Sequence, residues 1–217
     1  MTDTRLYTYW RSTAAYRVRI ALNLKGIEYD SLPVHLVRDG GEQRKPGFIE
    51  LNPQGLVPVL SDGAADISQS LAIIAYLDET HPEPPLLPPT PLERARVRSL
   101  ATTIACDIHP ICNLRVLQYL GGKFNVDDDQ RNEWIHHWIR LGFVAIEKRL
   151  ATDSATGTYC HGEQPGLADI CLVPQVYNAD RFECDMAPYP TIRRIVQACL
   201  DLDGFRGAAP ENQIDAP

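Results

Sequence analysis

Between His81 and Pro91 the chain reads His-Pro-Glu-Pro-Pro-Leu-Leu-Pro-Pro-Thr-Pro, six prolines in eleven positions. Proline has no amide N–H and clashes with the preceding helical turn, so neither a helix nor a central strand can run through this segment. The 217-residue chain is therefore expected to fold as two parts joined by an extended connector. The expected boundaries are residues 1–81, a linker at 82–91, and residues 92–217. With 44% hydrophobic and 23% charged residues, the chain has the apolar content of an ordinary globular protein.

The two parts differ in pattern. Residues 5–9 read as a strand, and Ala14 to Gly26 as a helix, with Ser12 and Thr13 available as N-cap and Gly26 as the stop. Residues 28–34 form a second strand, placed at an edge by Pro33. A turn at Asp39-Gly40-Gly41 and a short helix near 43–50 follow. Strands at 57–60 and 65–67 flank Ser61-Asp62-Gly63, and a helix spans 70–80. The order is β-α-β-α-β-β-α, an α/β domain. Everything beyond the prolines reads as helix, at roughly 91–120, 127–151, 167–180 and 189–200, with a loose tail after Gly207. The fold class is α/β plus all-α.

Charge and cysteine usage exclude several functions. Lys and Arg number 21 against 28 Asp and Glu, a net charge of −7, which argues against nucleic acid or an anionic membrane as partner. The opening Met1-Thr2-Asp3-Thr4-Arg5 leads into no apolar segment, which argues against a signal peptide, and no apolar run reaches the ~18 residues of a membrane span. Six cysteines are scattered without a Cys-x-x-Cys pair, so no metal site is expected and free thiols of the cytoplasm are the better reading.

Several residues have both a structural and a chemical reading. Ser12 serves as a plain N-cap or as a hydroxyl donor beside a helix N-terminus. Gln69-Ser70 stands at another helix start, where capping and carboxylate binding are both open. His109, Pro110 and Asn113 fall in the expected long helix 91–120, which Pro110 should bend. Four residues separate His109 from Asn113, which would put both on one helix face. Arg11, Arg115 and Arg181 come from three distant segments, and each alone reads as a surface charge, although a guanidinium is the side chain best shaped to pair a carboxylate. Gly166-Leu167-Ala168-Asp169 reads as a capping box with glycine at the cap, and Trp134 and Trp138 read as packing.

The stretch Arg11-Ser12-Thr13-Ala14-Ala15-Tyr16-Arg17-Val18-Arg19-Ile20-Ala21-Leu22 resembles the N-terminal signature of the zeta-class glutathione transferases, or maleylacetoacetate isomerases. The likeness continues through Asn52-Pro53-Gln54-Gly55-Leu56-Val57-Pro58 and Gln69-Ser70-Leu71-Ala72-Ile73-Ile74. It resumes at Ile108-His109-Pro110 and runs from Leu167-Ala168-Asp169 to Arg181-Phe182; the bacterial maleylpyruvate isomerases are equally similar, sharing Cys106-Asp107-Ile108-His109-Pro110. The resemblance implies a thioredoxin-like first domain that binds glutathione as cofactor, a helical second domain, a homodimer, and a small dicarboxylate substrate.

It further implies that Ser12 bonds the glutathione sulfur and that a cis Val57-Pro58 peptide aims the Val57 backbone at the cysteinyl group. Gln69 and Ser70 would hold the γ-glutamyl carboxylate and Gln43 the glycyl end, with His109 and Asn113 facing the ligand. Arg11, Arg115 and Arg181 would bind substrate, with Ser12, Arg11 and Arg181 in the catalytic set, and Asp107 would reach a partner copy's glutathione. Thr13-Ala14 departs from the Ser-Cys often found there, and Cys112 from a common amide. The implied activity is glutathione-dependent cis–trans isomerisation of maleylacetoacetate or maleylpyruvate. A transferase for small α-halo acids, or a non-catalytic scaffold, are the alternatives.

Overall fold

In β1 (Thr4–Thr8) alternation turns Leu6 and Thr8 inward, both fully buried, while Arg5 and Tyr7 face away. The computed structural model describes residues 3–217; Met1 and Thr2, the start of the segment read as lacking a signal peptide, lie outside them. By its contacts the chain divides into two compact units, Met1–Pro85 with Asp201–Pro217, and Leu86–Leu200.

The first unit is a four-stranded sheet in the order β2-β1-β3-β4, with β2 at Asp30–Pro33, β3 at Val59–Asp62 and β4 at Ala65–Ser68. β1 runs parallel to β2, with Leu6 opposite Ser31, and antiparallel to β3, with Leu6 opposite Leu60. β4 returns antiparallel to β3 across the turn at Gly63. Pro33 ends β2, an edge strand, where its missing N–H costs no ladder bond. Three helices complete the expected order: α1 (Thr13–Leu24), α2 (Pro46–Leu51) and α3 (Ser70–Thr80). The helix expected near 43–50 is shorter than that, a 3₁₀ turn at Glu42–Arg44 followed by α2, because Pro46 lacks the N–H that would join them.

α1 packs on α3, and its Val18, Ile20, Ala21 and Leu22 are inaccessible to solvent. A helix buried on so much of its circumference needs cover on a second side. That cover is the C-terminal segment: α9 (Asp203–Gly207) lies against α1, with Phe205 and Ala208 fully buried. The tail expected to be loose is thus packed, and Asp201–Pro217 groups with the first unit rather than with the helical part that was expected to run to 217. Burial of Phe205 and Ala208 drives this.

The second unit holds α4 (Pro91–Thr102), α5 (Leu114–Phe124), α6 (Asp128–Thr152), α7 (Leu167–Arg181) and α8 (Pro190–Leu200). α7 lies at its centre, packed on α4 and α8, with Ile170, Cys171 and Leu172 fully buried. Its N-terminus is built as read: Asp169 accepts from Gly166 N at 2.9 Å and from Cys160 N at 2.8 Å. The single bent helix expected at 91–120 is instead interrupted. Thr103–Ile108 is π-helical, with His109 N bonded to Ile104 O at 3.0 Å, and a turn leads to α5. Pro110 has no N–H to continue a helix, and Asn113 caps a new one. No described helix is long and apolar enough to cross a membrane.

Candidate functional site

In the first unit two of the candidates, Arg11 and Ser12, lie where β1 turns into α1. Ser12 N donates to Tyr9 O at 2.9 Å, closing the turn Tyr9–Ser12, and Ser12 Oγ accepts from Ala15 N at 3.2 Å. Ser12 is therefore the N-cap of α1, at the positive end of the helix dipole. Its hydroxyl keeps one O–H to donate, because the cap uses only a lone pair. Arg11 is half-buried, its guanidinium 5.1 Å from the centre of the Trp10 ring.

The Val57–Pro58 peptide is cis. Val57 packs in one apolar cluster with Tyr9, Val34, Phe48 and Val59, against which Trp10 also rests, so the cis bond and the Ser12 turn share a foundation. The preceding loop is self-supporting, with Asn52 Nδ2 donating to Leu56 O at 2.8 Å.

Gln69 has φ 73° and ψ 115°, a conformation that costs a non-glycine residue energy and recurs at binding sites. Simple capping, one of the two readings for this helix start, is not what Gln69 does: its side chain makes no bond to the start of α3, and its Nε2 donates to Gln54 Oε1 at 2.8 Å. The first turn of α3 thus offers backbone N–H groups with no side-chain cap. Ser70, buried, accepts from Arg17 Nη1 at 3.3 Å, which brings a cation to the same end. Uncapped N–H groups, a hydroxyl and a guanidinium form a donor set for a carboxylate.

Gln43 is buried and donates to Leu36 O at 3.1 Å. Its tight seat explains Gly41: a Cβ there would stand 2.6 Å from Gln43 Nε2 and 2.8 Å from Leu36 O, and φ is 101°. Beside it, Glu42 accepts from His35 N at 2.8 Å and from Arg38 Nη2 at 2.7 Å. These bonds, the one from His35 foremost, hold the Glu42 carboxyl below its ordinary pKa.

The second unit carries the other candidates on two segments of the chain, at 107–115 and at the end of α7. His109 is half-buried at the end of the π-helical segment, and Asn113 Oδ1 accepts from Arg115 N at 3.1 Å as N-cap of α5. The helix break between them removes the shared helix face that their spacing suggested. Arg115 is exposed in the first turn of α5. Arg181 ends α7, where a cation favours the helix dipole, and its guanidinium lies 4.5 Å from the centre of the Phe182 ring. His136 Nε2 bonds Phe182 O at 2.5 Å and so anchors the backbone at the end of α7. Asp107 is exposed. Trp134 does more than pack, since its Nε1 donates to Ile111 O at 3.1 Å and fastens the turn after Pro110.

Burial pushes the thiol of Cys112 up to about 12 and that of Cys184 to about 11, and raises Cys160 and Cys199 as well. These four are poor nucleophiles at neutral pH. No cluster of potential metal ligands occurs among the described residues.

Sequence reasoning passed over Arg17 and Gln54, which prepare the α3 end. The available signal was Arg17 and Arg19 two positions apart in an otherwise apolar helix, a spacing that cannot keep both on one solvent face.

The profile of the glutathione S-transferase N-terminal domain matches residues 6–85. A Vibrio cholerae protein named probable maleylacetoacetate isomerase is 55% identical, over 97% of each chain. A holo structure of maleylpyruvate isomerase, described as a bacterial zeta-class glutathione S-transferase, superposes with a TM-score of 0.96 at 50% identity, covering 98% of this chain and 100% of the other. A maleylacetoacetate isomerase from Methylobacterium extorquens, solved with malonate and glutathione bound, gives 0.95 at 43% identity, covering 98% and 99%. With relatives this similar over nearly its whole length, the chain belongs to the zeta-class glutathione transferases, the family of the maleylacetoacetate and maleylpyruvate isomerases.

Proposed function

We propose that the protein is a glutathione-dependent isomerase that converts the cis double bond of a maleyl keto acid, maleylacetoacetate or maleylpyruvate, into the trans bond of its fumaryl isomer. The carrying observation is the pair of helix N-termini in the first unit: Ser12 with a free O–H on α1, and the uncapped start of α3.

Both ends fit glutathione. The α3 N–H groups with Gln69 and Ser70 take the γ-glutamyl carboxylate, the Val57 backbone beside Pro58 takes the cysteinyl group, and Gln43 lies toward the glycyl end. His109 and Asn113 are the further ligand contacts in this reading. When bound, glutathione supplies a sulfur nucleophile that adds reversibly to the double bond and leaves it free to rotate. Ser12 donates its hydroxyl hydrogen to that sulfur and, with the α1 dipole, favours the thiolate. Arg11, Arg115 and Arg181 pair with the substrate carboxylates, hold the chain in place for attack, and stabilise the negative charge that develops on the keto group. The malonate bound in the Methylobacterium relative is itself a small dicarboxylate. We place the protein in the cytoplasm as a homodimer, with Asp107 toward the glutathione of the second copy.

The test offers each maleyl compound to the purified protein with and without glutathione and follows the cis-to-trans absorbance change. Isomerisation of at least one compound is expected, only with glutathione and without consuming it. Arg181→Ala should cut kcat/KM at least about tenfold, since a charge pair is lost. Failure on both compounds would overturn the reading and favour a transferase for halo acids.

A further inference from the structure

Arg19 sits on α1 with no solvent exposure, and a buried guanidinium is tolerated only where its donors are matched. Among the acceptors it meets are oxygens from three places. Nη1 reaches Thr8 Oγ1 at 3.1 Å, at the end of β1, and Tyr9 O at 3.4 Å. Nη2 reaches Trp10 O at 3.0 Å, and Nε reaches Ala208 O at 3.0 Å, just past α9. One side chain therefore ties the turn before Ser12 to the C-terminal segment.

The same turn is gripped from the other side. Trp10 N donates to Asp215 Oδ2 at 2.9 Å, a bond between residues 205 positions apart. Both backbone groups of Trp10, the residue just before Arg11, are thus fixed by charged side chains. The tail that delivers Asp215 is itself braced. Gln213 Nε2 donates to Gly207 O at 3.1 Å and Ala209 O at 2.8 Å, and Asn23 Nδ2 donates to Gly204 O at 3.1 Å. Phe205 is fully buried, so the segment has its own anchor independent of Asp215.

We propose that Asp215 and Arg19 are positioning residues of the glutathione site, through which the C-terminal segment fixes the turn from which Arg11 and Ser12 project. The inference rests on the role given above to Ser12. Its physical basis is that a nucleophile's hydrogen-bond donor works only when placed to a fraction of an ångström, and a turn whose last three residues are only half-buried has no such stiffness alone. A charged acceptor on the Trp10 N–H supplies it, because such bonds are shorter and stronger than neutral ones.

The experiment compares wild type with Asp215→Ala, Asp215→Asn and, as a tail control, Ile214→Ala, whose side chain is 74% exposed. Amide exchange at Trp10 is read by NMR, glutathione affinity by calorimetry, and isomerisation by kcat and KM. In Asp215→Ala, Trp10 exchange should accelerate and kcat/KM should fall, each by about tenfold, the scale of one charge-assisted bond. Its melting temperature should stay close to wild type, because Phe205 and Ala208 remain buried. Asp215→Asn, which keeps an oxygen acceptor, should recover most of both losses, and Ile214→Ala should match wild type. Unchanged Trp10 exchange and activity in Asp215→Ala would overturn the proposal, as would equal losses in the asparagine and Ile214 variants with a fall in melting temperature. Wild-type protein that binds no glutathione would sink the functional reading instead, while the Trp10 exchange rates would still decide whether Asp215 holds the turn.

Discussion

Ser12 illustrates how one side chain serves folding and chemistry together. Its oxygen accepts from Ala15 N at 3.2 Å as the α1 cap, and its hydrogen remains available to a ligand sulfur. The two uses predict separable effects of Ser12→Ala. Loss of the cap should lower stability by about 1 kcal/mol, measurable by chemical denaturation. Loss of a bond to a charged sulfur should lower turnover by about one to three orders of magnitude while glutathione still binds. A folded variant with unchanged turnover would remove Ser12 from the mechanism. The sequence made Ser12 legible as a cap, because a serine preceding an apolar helical stretch suits that position, whereas its chemical role was implied only by the family resemblance of residues 11–22. It left Arg17 unread, since only the meeting of α1 with α3 shows that its guanidinium ends on Ser70.

Among the elements, the loop from His35 to Gln43 shows how a short segment without regular pairing is kept in shape. Glu42 bridges His35 N and the Arg38 guanidinium, and the adjacent Gln43 folds back on Leu36 O. The Glu42 carboxyl lies below its ordinary 4.5, chiefly through the His35 bond and then through Arg38. A lowered acid stabilises the fold above its unfolded pKa and loses that contribution as pH falls through the folded value. The melting-temperature difference between wild type and Glu42→Gln should therefore be full at neutral pH and shrink in the acid range below 4.5. A difference independent of pH would deny Glu42 this role. The break between α4 and α5 carries the opposite lesson. A proline in a helical pattern predicts disturbance, but a π-helical segment and a fresh cap at Asn113 depend on how α6 and α7 pack beneath it.

For the whole molecule, the division into units does not follow chain order. The first unit is assembled from both ends of the sequence, Met1–Pro85 and Asp201–Pro217. The assembly proposed on family grounds is a homodimer, and sedimentation should return twice the 24.3 kDa of the chain. A mass of one chain at micromolar concentration would refute it.

What the sequence determined by itself was what local rules govern. The prolines from Pro82 to Pro91 separate the two patterns, alternation marks β1, Pro33 marks an edge, and helical spacing marks α1, α3 and α7. Each of these follows from interactions within a few residues, so it is written in order along the chain. What only the tertiary structure decided depends on partners far apart in sequence. Arg19 meeting Ala208, Asp215 meeting the Trp10 amide and Arg17 meeting Ser70 are all of this kind. A polar tail without periodicity gives no local reason to order itself. It orders because Phe205 and Ala208 bury apolar surface against a helix whose second face would otherwise meet water, and the hydrogen bonds of Asp215 and Arg19 then become possible.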